Sequence, residues 1–120
     1  MVGSEAIKLA LQRAESIYLT PVVLAELKSG FLGGSRRAEN ERLLERFVES
    51  VRVRVADIDR ETAVRYAEIF QFLKKQGTPV PTNDVWIAAS AMQFGLRVLT
   101  TDVHFQRIPQ VIVDFHPPGA

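Results

Sequence analysis

The sequence predicts an α/β domain with a small, mostly parallel sheet, and two observations support this class. Short hydrophobic runs alternate with longer segments whose apolar residues recur at helical spacing, an order typical of parallel strands joined by helices. The length of 120 residues fits one domain that can bury a hydrophobic core. We therefore interpret residues 1–120 as a single domain, with a loose tail at 116–120.

The first half of the chain contains three predicted helices and two predicted strands. Pro21 suits the first position of a helix, and Thr20 before it is a good cap. Gly33 is expected to end that helix, and Ser35 is expected to cap the next one. Alternating valine and arginine at 51–55 indicate a strand with one face in water. The predicted elements are helix 5–15, strand 16–19, helix 21–32, helix 36–50 and strand 51–55.

The second half contains two predicted helices and two short strands. Asp59 is placed to cap a helix that Gly77 ends. The Pro-Val-Pro run at 79–81 excludes a helix and predicts a stiff, extended link. Thr82 or Asn83 then caps a strongly apolar helix. The predicted elements are helix 60–76, helix 84–94, strand 96–99, a loop with one helical turn at 100–109, and strand 111–115.

Composition excludes several classes of protein. Hydrophobic residues make up 47% of the chain, charged residues 24%, and the net charge is +1, which is typical of a globular protein. The absence of cysteine excludes a disulfide framework, a zinc–thiolate site, an iron–sulfur cluster and a cysteine nucleophile. We expect a cytoplasmic protein, because no apolar run could span a membrane and the first residues lack the pattern of a signal peptide.

Three acidic residues stand out by their surroundings. Asp102 follows a predicted strand at its carboxyl end, the edge where open α/β sheets bind ligands. Asp84 lies in the first turn of an apolar helix, and Glu26 lies mid-helix with no cation three or four residues away. Three carboxylates brought together would repel one another unless a divalent cation lay between them. Oxygen ligands suit Mg²⁺ or Mn²⁺.

Each of these residues also has a purely structural interpretation. Asp84 would be stabilised by the helix N-terminus, and Asp102 could open a turn. Glu26 is harder to explain in this way, because holding a carboxylate on an apolar face is costly. For His104 we favour packing within its loop over contact with a substrate. For Trp86 we favour a place in the core over a platform that stacks on bases.

Three sequence segments occur in a characteristic order: PVVLAEL at 21–27, TNDVWIAA at 82–89 and LTTDVHF at 99–105. They resemble successive motifs of PIN-domain ribonucleases, most closely the VapC toxins of toxin–antitoxin pairs. The resemblance extends from Glu5 to about Phe115. It implies a three-layer α/β/α fold and cleavage of RNA by an endonuclease that depends on Mg²⁺ or Mn²⁺.

The resemblance also implies which residues and partners take part. The positions that match the acidic metal site of the family are Glu26, Asp84 and Asp102, and Thr100 matches a polar position that supports the last acid. The implied substrate is RNA, either tRNA or rRNA. The implied partners are a small VapB-like antitoxin and a second copy of the chain, with no membrane.

One departure from the family pattern concerns the start of the chain. Family members begin with a strand that ends in an aspartate ligand of the metal, whereas residues 1–4 lead directly into the first predicted helix. We therefore expect this strand and its aspartate to be missing, and expect weak metal binding and little or no ribonuclease activity from these 120 residues.

Two alternatives to a ribonuclease stay open at this point. One is a PIN-fold protein without catalysis, which dimerises or sequesters an antitoxin; the missing first aspartate supports it. The other is a phosphoacceptor or phosphohydrolase domain that uses Asp102 or Asp84 as its nucleophile.

Overall fold

The computed structural model describes residues 5–118, whose contacts form two compact units. One unit is the segment Ala14–Asp57, and the other combines the first helix with the chain from Ile58 onward. The single domain over 1–120 and the loose tail at 116–120 stay predictions. The expectation of a missing first strand concerns the residues before Glu5, and these lie outside the described part of the chain.

Helices and short strands alternate along the described chain much as the sequence predicts. Both strand pairs are parallel, so the predicted parallel α/β character is confirmed. The elements are α1 (Glu5–Arg13), β1 (Ile17–Leu19), α2 (Pro21–Leu32), α3 (Arg37–Val48), β2 (Val53–Val55), α4 (Arg60–Gln76), α5 (Thr82–Phe94), β3 (Arg97–Thr100), a 3₁₀ helix (Val103–Arg107) and β4 (Ile112–Phe115).

The unit Ala14–Asp57 is built on the pairing of β1 with β2. Ile17 lies opposite Val53 in the register, and both side chains are buried. The hydroxyl of Thr20 accepts a hydrogen bond from the backbone N–H of Val23 at 3.1 Å, so the predicted cap of α2 is confirmed. Although α2 is apolar, none of its residues is buried.

Two predictions in this unit are wrong. Ser35 does not cap α3, because the helix begins one residue later than expected, with Arg36 at the cap position. The predicted strand at 51–55 is shorter, because a turn in which Val53 donates to the carbonyl of Ser50 occupies its start. As a result Val51 is 97% exposed, and the predicted alternation does not extend to it.

The core of the other unit forms between α4 and α5. These helices pack closely because α5 presents small side chains, Ala88 and Ala89, both fully buried. Trp86 is half-buried with its ring centroid 4.2 Å from that of Tyr66. The buried cluster consists of Ile69, Leu73, Val85, Ala88, Ala89, Ala91, Val98, Phe105 and Ile108.

Helix α4 has the boundaries that the sequence predicts, because both of its ends carry local signals. The carboxylate of Asp59 accepts hydrogen bonds from the N–H groups of Glu61 and Thr62, while the Thr62 hydroxyl accepts from the N–H of Asp59. Gln93 also donates to Asp59 at 3.0 Å and joins this cap to the end of α5. Gly77 ends the helix with a φ of 69°, in the left-handed region that favours glycine.

Helix α5 begins two residues earlier than expected, at Thr82. Neither Thr82 nor Asn83 caps it, because the extended Pro81 occupies the cap position. The carbonyl of Pro81 accepts from the backbone N–H of Asp84 at 3.0 Å and of Val85 at 3.2 Å. The rigid link therefore leads directly into the first turn of the helix, which fixes the position of Asp84.

Strands β3 and β4 pair with Leu99 opposite Asp114. The backbone N–H of His116 donates to the carbonyl of Thr100 at 2.9 Å and extends the ladder past the end of β4. Beyond β3 the chain forms the 3₁₀ helix, which confirms the predicted helical turn within 100–109. Within residues 5–118, no helix is both long enough and apolar enough to cross a membrane.

Candidate metal centre

Asp84 is the best-fixed acid of the chain. It is the third residue of α5 and only 8% exposed, and the next residue, Val85, is fully buried in the core. Its place in the first turn puts its carboxylate near the positive end of the helix dipole, which favours the charged form. The packing of α5 therefore holds a carboxylate at a fixed, sheltered position.

Asp102 is held by hydrogen bonds within its own loop. Its backbone N–H donates to the hydroxyl of Thr100 at 2.9 Å, and its Oδ1 accepts from the backbone N–H of His104 at 2.9 Å. Asp102 is thus the cap of the 3₁₀ helix, as its structural interpretation suggested. Its second oxygen takes no part in this cap, so the same side chain can also serve a ligand.

The imidazole of His104 joins the two acids. Its Nδ1 lies 2.8 Å from Oδ1 of Asp102 and 3.6 Å from Oδ2 of Asp84. One potential ligand atom from each of these three residues lies within 4.8 Å of the others. The structure therefore brings the two aspartates together and adds a histidine that we had interpreted as a packing residue.

The loop that carries Asp102 and His104 is anchored on both sides. Phe105 and Ile108 are 4% and 1% exposed and belong to the buried cluster. The guanidinium of Arg107 donates through Nη1 to the carbonyl of Pro79 at 3.0 Å. This bond ties the 3₁₀ helix to the link that leads into α5, so the segments that carry the cluster are held together.

The electrostatics of the cluster favour a charged Asp102. Partial burial alone would raise the pKa of this carboxyl, but the N–H of His104, its imidazole and the contact with Asp84 outweigh burial. The pKa of Asp102 therefore lies below its usual range. An ionised Asp102 this close to Asp84 requires a nearby positive charge or a shared proton.

The three side chains fit a divalent cation. The Nδ1 of His104 is shielded from solvent, and no aligned hydrogen bond satisfies it among the described residues. Two ligands about 2.1 Å from one ion are separated by about 3.0 Å at a right angle and about 3.4 Å at a tetrahedral angle. The measured separations of 2.8 and 3.6 Å bracket these values.

Glu26 lies in the other unit, in the middle of α2. Most of its helical neighbours are apolar, as the sequence indicates, but Glu26 itself is exposed. The hydrophobicity of α2 does not reflect burial within this unit. The role of Glu26 as the third acid of the site stays a prediction.

His104 is the member of the cluster that our sequence analysis missed. The available signal was its spacing, two residues after Asp102 at the start of a helical turn. A cap residue and the residue whose N–H it binds necessarily lie close together. Recognising Asp102 as a cap would therefore have placed His104 beside it.

Comparison with known families identifies the chain. The model of the family described as "PIN domain" matches residues 2–111. The chain belongs to the PIN-domain family. Ribonuclease VapC1 of Haemophilus influenzae strain R2866 is 32% identical to this PIN domain over 95 residues, which cover 78% of this chain and 69% of the relative. The chain therefore belongs to the VapC branch, as its three motifs suggested.

Two further relatives extend the likeness. The tRNA(fMet)-specific endonuclease VapC of Salmonella typhimurium is 31% identical over 97 residues, covering 80% of this PIN domain and 72% of the relative. The structure of VapBC-1 from nontypeable Haemophilus influenzae superposes with a TM-score of 0.80 at 27% identity, covering 93% of this chain and 85% of the other. The predicted three-layer α/β/α PIN-like fold class is thereby confirmed.

Proposed function

We propose that this PIN domain is the metal-dependent endoribonuclease toxin of a VapBC-type toxin–antitoxin pair. The observation that carries the proposal is the meeting of Asp84 and Asp102. These acids come from two separate motifs that the VapC resemblance singles out, and with His104 they offer ligand atoms within 4.8 Å of one another. The reaction is the hydrolysis of an RNA phosphodiester at this cluster.

The proposed cofactor is Mg²⁺ or Mn²⁺. Asp84 and Asp102 would hold the ion, and Glu26 would complete the acidic set. A divalent ion bound there supplies positive charge to the scissile phosphate and makes water a better nucleophile at neutral pH. Because such ions prefer oxygen ligands, two carboxylates are suitable primary donors.

The surroundings of each side chain suit it to a different role in the proposed site. The buried Asp84 would provide a carboxylate at a fixed position, because α5 leaves it little freedom. Asp102 keeps its charge because its pKa is lowered, and the Thr100 hydroxyl fixes the backbone from which it projects. Attack of water on phosphorus with departure of the 3′ oxygen leaves a 5′-phosphate and a 3′-hydroxyl.

The proposed substrate and partners follow from the relatives. One VapC relative is named for its specificity for tRNA(fMet), so we propose a structured RNA, tRNA or rRNA, as substrate. The structural neighbour is a VapBC assembly, so we propose a VapB-like antitoxin as partner. We further propose a homodimer and a cytoplasmic location.

A cleavage assay tests the proposed function. End-labelled tRNA and rRNA would be incubated with excess protein, because we expect slow turnover, in Mg²⁺, Mn²⁺ or EDTA. Asp102→Asn is the test variant, and Asp57→Asn is its matched control, since Asp57 is an exposed residue of the other unit. We expect at most weak, metal-dependent cleavage, which Asp102→Asn abolishes and Asp57→Asn retains.

Two results would contradict the proposal. One is cleavage that survives both EDTA and the Asp102→Asn substitution, which would place the reaction elsewhere. The other is a folded chain that binds an antitoxin and cleaves no RNA at any metal concentration, both as it stands and with an upstream strand ending in an aspartate added, which would favour the PIN-fold protein without catalysis.

A further inference from the structure

We infer that His104 is itself a ligand of the ion, through Nδ1, and that this nitrogen shifts the preference of the site from Mg²⁺ toward Mn²⁺ and other transition ions. The inference rests on the proposed metal centre and adds a ligand to it. The added ligand bears on the choice of ion, because two carboxylates alone do not distinguish Mg²⁺ from Mn²⁺.

The imidazole of His104 faces both acids of the cluster. Its Nδ1 lies 3.6 Å from Asp84 and 2.8 Å from Asp102, so it faces both carboxylates rather than one. The backbone N–H of His104 already satisfies the cap oxygen of Asp102 at 2.9 Å. An ion held by both carboxylates would therefore lie within reach of this ring nitrogen as well.

The hydrogen bonding of Nδ1 also favours a bound ion. Nδ1 is buried and has no aligned hydrogen-bond partner among the residues that the structure describes, despite the short approach to Asp102. A buried polar atom without an aligned partner is costly. A metal ion bonded to its lone pair would remove this cost and separate the two carboxylate charges at the same time.

The donor atoms of the cluster determine its preference between Mn²⁺ and Mg²⁺. Mg²⁺ is a hard ion that prefers oxygen donors and retains several waters. Imidazole is a donor for first-row transition ions, whereas carboxylates serve Mg²⁺ and Mn²⁺ alike. A cluster of two carboxylates and one imidazole is therefore expected to bind Mn²⁺ more tightly than Mg²⁺, and to lose this preference without His104.

A purely positioning role for His104 predicts a different result. If the imidazole only oriented Asp102, its removal would weaken Mg²⁺ and Mn²⁺ binding by the same factor, because both ions use that carboxylate. The ratio of the two dissociation constants would then stay constant. The ratio, rather than either affinity, therefore distinguishes a ligand from a positioning residue.

The experiment measures Mn²⁺ binding to the full chain by electron paramagnetic resonance, with Mg²⁺ as competitor. The test variant is His104→Asn, which retains the backbone N–H that caps Asp102. The matched control is His116→Asn, because His116 contacts Asp114, at 3.0 Å, and is not in the cluster. Pulsed resonance of bound Mn²⁺ in the unsubstituted chain reports nitrogen coordination directly and needs no variant.

We expect nitrogen coupling to bound Mn²⁺ in the unsubstituted chain and in His116→Asn, and its loss in His104→Asn. We expect the preference for Mn²⁺ over Mg²⁺ to fall by about tenfold or more in His104→Asn, because the lost imidazole is a donor suited to transition ions rather than to Mg²⁺. An unchanged ratio, an absence of nitrogen coupling, or no binding of either ion would overturn the inference.

The outcome is separable from that of the proposed ribonuclease. Nitrogen-coupled Mn²⁺ together with a failure to cleave RNA would leave His104 as a ligand and contradict the ribonuclease. RNA cleavage that depends on Asp102, with no nitrogen coupling, would leave the ribonuclease and overturn the role of His104.

Discussion

The Nδ1 of His104 lies 3.6 Å from Oδ2 of Asp84, although the two residues belong to different elements, the 3₁₀ helix and α5. This relationship depends on the packing of the loop after β3 against the N-terminal turn of α5. Both segments are anchored in one buried cluster. The geometry of the site is therefore a consequence of the core, and core substitutions should be detectable in metal binding.

Metal binding should stabilise the folded chain. A ligand that binds only the folded state at 100 times its dissociation constant adds about 2.7 kcal/mol to the free energy of unfolding. We expect Mn²⁺ to raise the urea midpoint of the unsubstituted chain, and Asp84→Asn to lose most of this gain because it removes a proposed ligand of the ion. Asp57→Asn should keep the gain. An equal gain in Asp84→Asn would exclude Asp84 as a ligand.

Removal of the Thr100 hydroxyl should loosen Asp102. Thr100→Val deletes the acceptor of the Asp102 N–H, which lies 2.9 Å away. The loss is expected to cost about 1 kcal/mol of unfolding free energy and to weaken Mn²⁺ binding. Thr100→Ser keeps the hydroxyl and should retain the affinity for Mn²⁺. Urea unfolding and metal titration of the two variants check this pair, and identical Mn²⁺ affinities would contradict a supporting role.

Truncation of Phe105 should uncouple the loop from the core. Its side chain is 4% exposed and belongs to the buried cluster. Phe105→Ala is expected to cost about 3 kcal/mol through lost burial and the cavity left behind, whereas Phe105→Leu should cost less because it removes fewer buried atoms. Urea denaturation measures both. A cost for Phe105→Ala no larger than that for Phe105→Leu would show that the loop is not anchored there.

Acid should weaken the cap of α4. Hydrogen bonds from the backbone N–H of Thr62 and from Gln93 lower the pKa of Asp59, so its contribution is present above the unfolded pKa of about 3.9 and lost as pH falls through the lower folded value. Asp59→Asn should be less stable than the unsubstituted chain at neutral pH, and the difference should shrink below about pH 4. A difference independent of pH would contradict this account.

Local signals explain why some elements were predictable and others were not. Both ends of α4 were correctly predicted because Asp59 and Gly77 act through hydrogen bonds within a few residues of themselves. The starts of α3 and α5 were wrong because the cap positions are occupied by Arg36 and Pro81 rather than by the predicted cap residues. Which residue becomes the cap depends on the backbone path before it, as the extended Pro81 shows for α5.

The candidate site was predictable only in part, for a related reason. Asp84 and Asp102 were recognisable because each lies at the end of an element, where a parallel α/β fold gathers ligands. His104 was missed because its approach to both acids requires the 3₁₀ turn, which the sequence indicated only as one helical turn. The apolar setting of Glu26 was misleading, because the hydrophobicity of a helix does not reveal what covers it.

The proposed metal centre places one ion among Asp84, Asp102 and His104. The most direct measurement is anomalous diffraction from crystals of the full chain grown with Mn²⁺. The account predicts an anomalous peak at bonding distance from a carboxylate oxygen of each aspartate and from Nδ1 of the histidine. A peak bound elsewhere, or no peak in crystals of the folded chain saturated with Mn²⁺, would contradict it.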